Sequence, residues 1–168
     1  MKNAKRIIII GCPGSGKSRL AKILANKLNL PLIHLDQLFW KPNWTETPRD
    51  EFDRLLLEEL KKDKWILDGN FARTLPLRLE YCDHVILLNY PTLTCIFRVI
   101  KRVITNYGKT RPDMAEGCEE RFDLSFLKFI KKFKKIRLKK MKEQIATSKK
   151  PLIEITNDIE LKALLKSL

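Results

Sequence analysis

GCPGSGKS, residues Gly11 to Ser18, decides how the rest of this chain is read. The string fits G-x-x-x-x-G-K-[ST], the pattern of a loop that cradles phosphate. Three glycines let the backbone turn tightly and aim its N–H groups at an anion. Lys17 then reaches β- and γ-phosphates, and the Ser18 hydroxyl is placed to ligate Mg²⁺. The nucleotide cradle expected from the string is Gly11, Pro13, Gly14, Ser15, Gly16, Lys17, Ser18 and Arg19. The flanks agree with it. Arg6 to Ile10 carries four successive isoleucines, an apolar run suited to a buried parallel strand. Leu20, Ile23, Leu24 and Leu28 recur at helical spacing after the loop. Strand, glycine loop and helix N-terminus together form an anion site.

The chain has 168 residues, enough for one substantial core, and 44% hydrophobic content, ordinary for a globular protein. No apolar run is long enough to span a bilayer, so no membrane partner is expected. Met1 to Ile10 has a basic start, but its apolar stretch is short for a signal peptide and runs straight into the phosphate loop. Cys12, Cys82, Cys95 and Cys118 form no CxxC pair, which argues against a zinc site and disulfides and for a reducing cytoplasm. A formal net charge of +14 calls for polyanionic company of some kind.

Asn29-Leu30-Pro31 closes the first helix. Leu32 to Leu35 reads as a second strand delivering Asp36, followed by the aromatic-rich stretch from Phe39 to Trp44. Thr47-Pro48-Arg49-Asp50 predicts a helix start with Thr47 as N-cap and Asp50 reaching back; Phe52, Leu55, Leu56 and Leu60 supply its stripe. Trp65 to Leu67 predicts a third strand ending at Asp68-Gly69-Asn70, and His84 to Leu88 a fourth. Ile96, Val99, Ile100, Val103 and Ile104 mark a long helix ending near Gly108. Lys109 to Phe122 has no clear period and reads as a loop. Phe126, Phe129, Ile130, Phe133 and Ile136 mark another long helix. Leu152 to Ile155 is a last strand and Ile159 to Leu165 a last helix. The alternation implies an α/β fold: a parallel sheet with helices on both faces, binding ligands beyond the carboxyl ends of its strands.

Asp68 follows an apolar strand, where a phosphate-loop enzyme holds a carboxylate near Mg²⁺; an Asp-Gly turn alone would explain it equally simply. Arg98 and Arg102 are four apart and share a helix face. Arg111 and Arg121 lie in or beside the aperiodic loop, and a guanidinium there can grip phosphoryl oxygens with two hydrogen bonds. Trp40, Lys41 and Trp44 are candidates for an acceptor pocket, the rings stacking on a base and the lysine pairing a phosphate, or else a packed aromatic plug. His34 and His84 read as structural. Cys12, beside backbone donors, reads as a somewhat reactive thiol without a base. Residues 128–142 concentrate the excess charge with no acid among them. This stretch is either a docked helix with a solvated basic face or a surface for nonspecific, salt-sensitive contact with DNA.

With these features in place the chain resembles the adenylate kinase-like nucleoside monophosphate kinases. It is more closely similar to the bacterial DNA topology modulation proteins within that fold, through residues 34–44, Asp68-Gly69-Asn70-Phe71 and residues 108–118. The resemblance implies a three-layer P-loop fold in a single domain with a five-stranded parallel sheet, an acceptor-binding insert at about 36–63, and a lid at about 108–122. It implies ATP and Mg²⁺ as cofactors, with Ser18 and Asp68 on the metal. Adenylate kinases carry two arginines at the spacing of Arg98 and Arg102, at the entrance to the lid. Shikimate kinases of this fold use an Asp at the place of Asp36 to orient or deprotonate the acceptor hydroxyl. The implied catalytic set is Lys17, Asp36, Asp68, Arg98, Arg102 and Arg111. One departure stands out: the adenylate kinase turn reads Asp-Gly-Phe-Pro-Arg, whereas here it is Asp-Gly-Asn-Phe-Ala-Arg. Arg73 is displaced by one, and Arg73 and Arg78 compete for an acceptor role. Two functions follow: an ATP-dependent phosphotransferase acting on a small acceptor, or an ATP-dependent DNA-binding protein modulating topology. No Asn-Lys-x-Asp sequence supports guanine reading.

Overall fold

The isoleucines before the phosphate loop become the centre of the sheet. In the computed structural model, which describes residues 4–168, β1 (Arg6–Gly11) lies between two parallel neighbours, and Ile7 to Ile10 are fully buried. Part of the basic start, Met1–Asn3, lies outside the described residues. A strand buried on both faces has no use for alternation, which is why the run is continuously apolar. α1 (Lys17–Leu28) follows the loop and ends on Asn29, whose left-handed φ of 51° lets its N–H bond back to Ala25.

β2 (Leu32–His34) is one residue shorter than expected, because Leu35 opens α2 (Leu35–Phe39) and Asp36 sits in that helix's first turn. The aromatic stretch then folds as a small hairpin: β3 (Trp40–Lys41), a 3₁₀ turn over Pro42–Trp44, and β4 (Thr45–Glu46). α3 (Arg49–Leu60) begins at Pro48, not at Thr47, and no side chain caps it. The Thr47 N–H is taken by Phe39 O at 2.7 Å, closing the hairpin instead. β5 (Trp65–Asp68) is followed by α4 (Leu75–Tyr81), a short helix unmarked by any apolar period. β6 (His84–Leu88) and α5 (Thr92–Asn106) match expectation in place.

The segment from Lys109 to Phe122 has turns and isolated bridges, Tyr107 to Glu120 and Thr110 to Glu119, and buries Met114, Cys118 and Glu120. α6 (Leu124–Phe133) is capped by Asp123, which accepts from Ser125 N and Phe126 N. A π turn over Lys134–Leu138 joins it to α7 (Lys139–Ser148). The extra residue shifts the stripe: the buried positions run Ile130, Phe133, Leu138, Met141, Ile145, and Ile136 is left 57% exposed instead of joining them. β7 (Leu152–Ile155) and α8 (Asp158–Lys166) complete the chain.

The sheet order is β2-β5-β1-β6-β7, all parallel. Its register sets Ile9 beside Asp68 and His34 beside Asp68, so the phosphate loop, His34 and Asp68 emerge at one edge. All four cysteines are free and buried. Among the described residues no helix is long and apolar enough to cross a membrane.

Arg78 is not exposed and does not itself line the cleft. It is wholly buried, and its guanidinium donates to Gly69 O at 2.9 Å, to Phe71 O at 3.0 Å and to Asn70 O. Burial pulls its pKa down to about 9. Arg73 pairs with Asp53 at 2.8 and 2.5 Å on the outer surface. Neither arginine lines the main cleft, which corrects the expectation that one of them receives the acceptor there. Arg78 instead holds the turn after Asp68. Arg78→Met should preserve volume but leave three carbonyls without a donor, lowering stability by about 2–3 kcal/mol in a urea titration. A shift below about 0.5 kcal/mol would mean those bonds are replaceable.

Candidate active site

The phosphate loop shows why its glycines are where they are. A Cβ on Gly14 would lie 2.4 Å from Cys95 O and 2.8 Å from a Val99 methyl, at a φ of +82°. Helix α5 therefore packs directly on the loop. At Gly16, with φ +98°, a Cβ would meet nothing within 4 Å, so the mouth of the loop is open. Gly16 is also the N-cap of α1 and offers no side chain, leaving the first-turn N–H groups facing that opening. Arg98 donates to Ser15 O at 3.2 Å and Gly11 N donates to Asn70 Oδ1 at 3.0 Å, pinning the loop from two sides. The Lys17 ammonium rests on Cys12 O at 3.3 Å, a single neutral contact.

Pro13, Gly14, Gly16, Lys17, Ser18 and Arg19 line a cleft of about 1170 Å³. Gly11 and Ser15, also expected in the cradle, are buried and do not line it. The same cleft is lined by Asp36, Asp68, Arg98, Arg102 and Arg111, so residues from five separate stretches meet there. Trp40, Trp44 and Arg121 also reach it. Lys41 does not, because it pairs with Glu51 at 2.8 Å. The two indoles meet edge to face at 5.4 Å, Trp44 Nε1 donates to Glu119 O at 3.1 Å, and the Arg121 guanidinium lies 5.6 Å over the Trp44 ring.

Asp68 is 5% exposed; its Oδ2 bonds His34 Nδ1 at 3.0 Å while Oδ1 has no partner. His34 thus orients a carboxylate and leaves one oxygen free. Burial raises the pKa of Asp36 to about 6, and nearby Asp68 adds to this, while Lys17 and Arg111 pull it back. Cys12 is buried, and a hydrogen bond with Cys95 together with burial pushes its thiol pKa well up, against the expectation of a reactive thiol.

The sequence assigned no role to three residues that line the cleft. Asp113 accepts from Arg111 at 2.8 Å; burial raises its pKa, but Arg111 and a hydrogen bond from the Ser18 hydroxyl more than offset this. Glu120, 5% exposed, accepts from Arg102 at 2.8 Å and pairs with Arg111 at 2.7 Å. Asn70 braces the loop as above. Only the Arg-x-Asp spacing hinted at Asp113, and nothing local hinted at Glu120. The segment 108–122 is also tied to the aromatic hairpin: Asn43 N to Gly117 O at 3.1 Å, Gln37 Nε2 to Pro112 O at 2.9 Å, and Cys118 Sγ to Lys41 O at 3.3 Å.

Several known proteins are similar to this chain. It is 32% identical over 149 residues to an adenylate kinase of Mesomycoplasma hyopneumoniae (strain 7448), covering 76% of this chain and 68% of that one. It is 35% identical over 101 residues to an adenylate kinase of Ruminiclostridium cellulolyticum, covering 48% of this chain and 46% of that one. The chain therefore spans from under half to about two thirds of those relatives' lengths. A shikimate kinase from Acinetobacter baumannii, solved with shikimate, superposes with a TM-score of 0.63 at 16% identity, over 99% of this chain and 94% of that one. A shikimate kinase from Bacteroides thetaiotaomicron gives 0.59 at 18% identity, over 98% and 95%. At such identity these two speak for the fold alone. No family model matches the chain. With a sequence match running over 76% of its length, and a phosphate loop at the head of a central parallel strand, the chain belongs to the adenylate kinase-like family of P-loop kinases.

Proposed function

We propose that this chain transfers the γ-phosphoryl group of ATP to a small acceptor seated between Asp36, the tryptophan hairpin and Phe71. The observation that carries it is the shared cleft: Lys17 and Ser18, the carboxylates Asp36 and Asp68, and the arginines Arg98, Arg102 and Arg111 face one space. At about 1170 Å³ it exceeds the 300–1,000 Å³ of a typical single-ligand pocket, which suits two substrates side by side. Phosphoryl transfer asks a protein mainly for alignment and charge compensation, and this lining offers both.

Lys17 takes the β- and γ-phosphates in exchange for Cys12 O. Arg102 and Arg111 give up Glu120 for phosphoryl oxygens. Asp36, when ionised, accepts the acceptor's proton or orients its hydroxyl. The buried, unpartnered Asp68 Oδ1 and the Ser18 hydroxyl fit Mg²⁺, a cation that prefers oxygen ligands and keeps several waters. Mg²⁺ held there would supply compensation for the phosphates' negative charge. Segment 108–122 acts as lid and 36–63 as acceptor insert, already tied together over the cleft. ADP formation measured against nucleoside monophosphates, nucleosides and small hydroxy acids tests this: one class should stimulate turnover well above the rate with water. No stimulation by any class, with ATP bound normally, would leave a nucleotide-binding protein and sink the kinase.

A second reading, nonspecific contact with DNA, rests on a separate observation. Lys128, Lys131, Lys132, Lys135, Arg137, Lys139 and Lys140 are all exposed along α6, the π turn and α7, and the resemblance to the DNA topology modulation proteins points the same way. On this reading duplex affinity falls with salt at a slope near −0.9 per neutralised phosphate. Replacing Lys131, Lys132 and Lys135, all exposed, by glutamine should then flatten that slope by about three units while ATP binding holds. An unchanged slope would make the basic face merely solvated.

A further inference from the structure

Helix α5 has two apolar faces, and the fold uses one. Cys95, Val99 and Val103 are buried against the sheet and the phosphate loop. Ile100 and Ile104, which the sequence suggests should share that stripe, are 36% and 74% exposed. They stand in a row with Leu93 at 81%, Phe97 at 67% and Tyr107 at 68%. Eleven large apolar residues are exposed in the described chain; four of them lie on α5 and a fifth, Tyr107, immediately follows it. Scattered exposed leucines need no explanation, but a contiguous face does.

The spacing is informative. Leu93, Phe97, Ile100, Ile104 and Tyr107 are separated by four, three, four and three residues, the seam by which one helix packs against another of the same spacing. The seam lies roughly opposite Arg98 and Arg102 around the helix, at 100° per residue, so covering it leaves the cleft open. Its flank on the exposed side is Thr94, Lys101 and Thr105. In a chain of net charge +14 this is a face with a single cation, and two such basic molecules can approach each other only where charge is sparse.

From these observations we infer that α5 is the interface of a two-fold homodimer, with the seams of two copies packed on each other. A two-fold axis places the same patch on both sides, and an apolar, nearly uncharged stripe is complementary to itself. Covering the exposed parts of these five side chains removes about 600 Å² per protomer, against roughly 800 Å² for a standard interface. The proposal is independent of what the cleft phosphorylates.

Sedimentation velocity of the full chain tests this at a concentration on the order of 100 µM, above the micromolar dissociation constant such a contact supports. The parent should sediment as a dimer and dissociate on dilution. The double variant Phe97→Glu, Ile104→Glu should be monomeric throughout, with parental circular dichroism and parental affinity for an ATP analogue. If that variant fails to fold, the single variant Ile104→Lys, at a position 74% exposed, should weaken the dimer at least tenfold. A parent that stays monomeric at this concentration overturns the proposal, as does a dimer that survives both variants. A monomeric parent that instead pellets with phosphatidylserine-containing vesicles through Phe97 and Ile104 would assign the face to a lipid surface, and would equally overturn it.

Discussion

Lys17→Ala is expected to remove measurable phosphoryl transfer, a loss of at least 10³-fold, and to weaken ATP·Mg²⁺ binding sharply. The Lys17 ammonium has one neutral partner, Cys12 O at 3.3 Å, so little in the free protein competes with phosphate for it. Losing it leaves the loop's N–H groups intact but removes the main cation from the β- and γ-oxygens. Because Lys17 also lowers the pKa of Asp36, the variant should raise that pKa further. Isothermal titration is the direct measurement. Unchanged nucleotide affinity would show that the loop does not bind a triphosphate, and the proposed reaction would fall with it.

Asp36→Asn should cost 10²- to 10⁴-fold in turnover, the usual range for a proton acceptor, while leaving ATP affinity close to parental. Two further readouts separate a chemical role from a structural one. In the folded chain Asp36 titrates near 6, mainly through burial, against 3.8 for an ordinary aspartate. Its ionised form is the one that accepts a proton, so parental activity should fall as pH drops through 6, and the variant should lack that limb. Stability moves the other way. A carboxyl whose pKa is raised on folding binds its proton more tightly in the folded state, so its ionisation destabilises the fold above pH 6. That cost fades as pH falls from 6 toward 4. Asp36→Asn should accordingly be more stable than the parent at pH 8, by about 1–3 kcal/mol, and lose the advantage near pH 4. A variant that is slower but no more stable at pH 8 would mean that Asp36 carries no buried charge in the free protein.

The two effects belong together. Asp36, Asp68 and Asp113 contribute carboxylates to one cleft, and in the free protein Lys17, Arg102 and Arg111 are held by nearby oxygens. Arg111 is paired with both Asp113 and Glu120. On the proposed function, binding a triphosphate would exchange these internal partners for phosphate oxygens. The charge the site needs is thus already assembled and oriented, and each acidic partner keeps an arginine from wandering into solvent. The His34–Asp68 bond does the same for a carboxylate.

The central strand, the phosphate loop and α1 were legible because they are local. Four isoleucines, three glycines and a helical stripe each state their conformation within a few residues. The five strands, the parallel sheet and the placing of Asp68 at a strand end were legible for the same reason, as was the shared helix face of Arg98 and Arg102; Asp36 was expected at a strand end and lies instead in the first turn of α2. Where the expectation failed, a partner distant in sequence had decided the outcome. Thr47 lost its capping role because its backbone closes the hairpin on Phe39 O and α3 starts one residue later, with Pro48 at the N-cap. Lys41 turned from the cleft to Glu51. Arg78 became a buried brace because three carbonyls of the turn after Asp68 converge on it. Glu120 and Asp113 entered the cleft because segment 108–122 is tied down on a hairpin some seventy residues earlier in the chain. Ile100 and Ile104 fit the helical period, yet α5 has only one side on the sheet. Periodicity records that a residue is apolar and helical; which side of the helix the core occupies, and whether another molecule covers the rest, is a property of packing that the period does not carry.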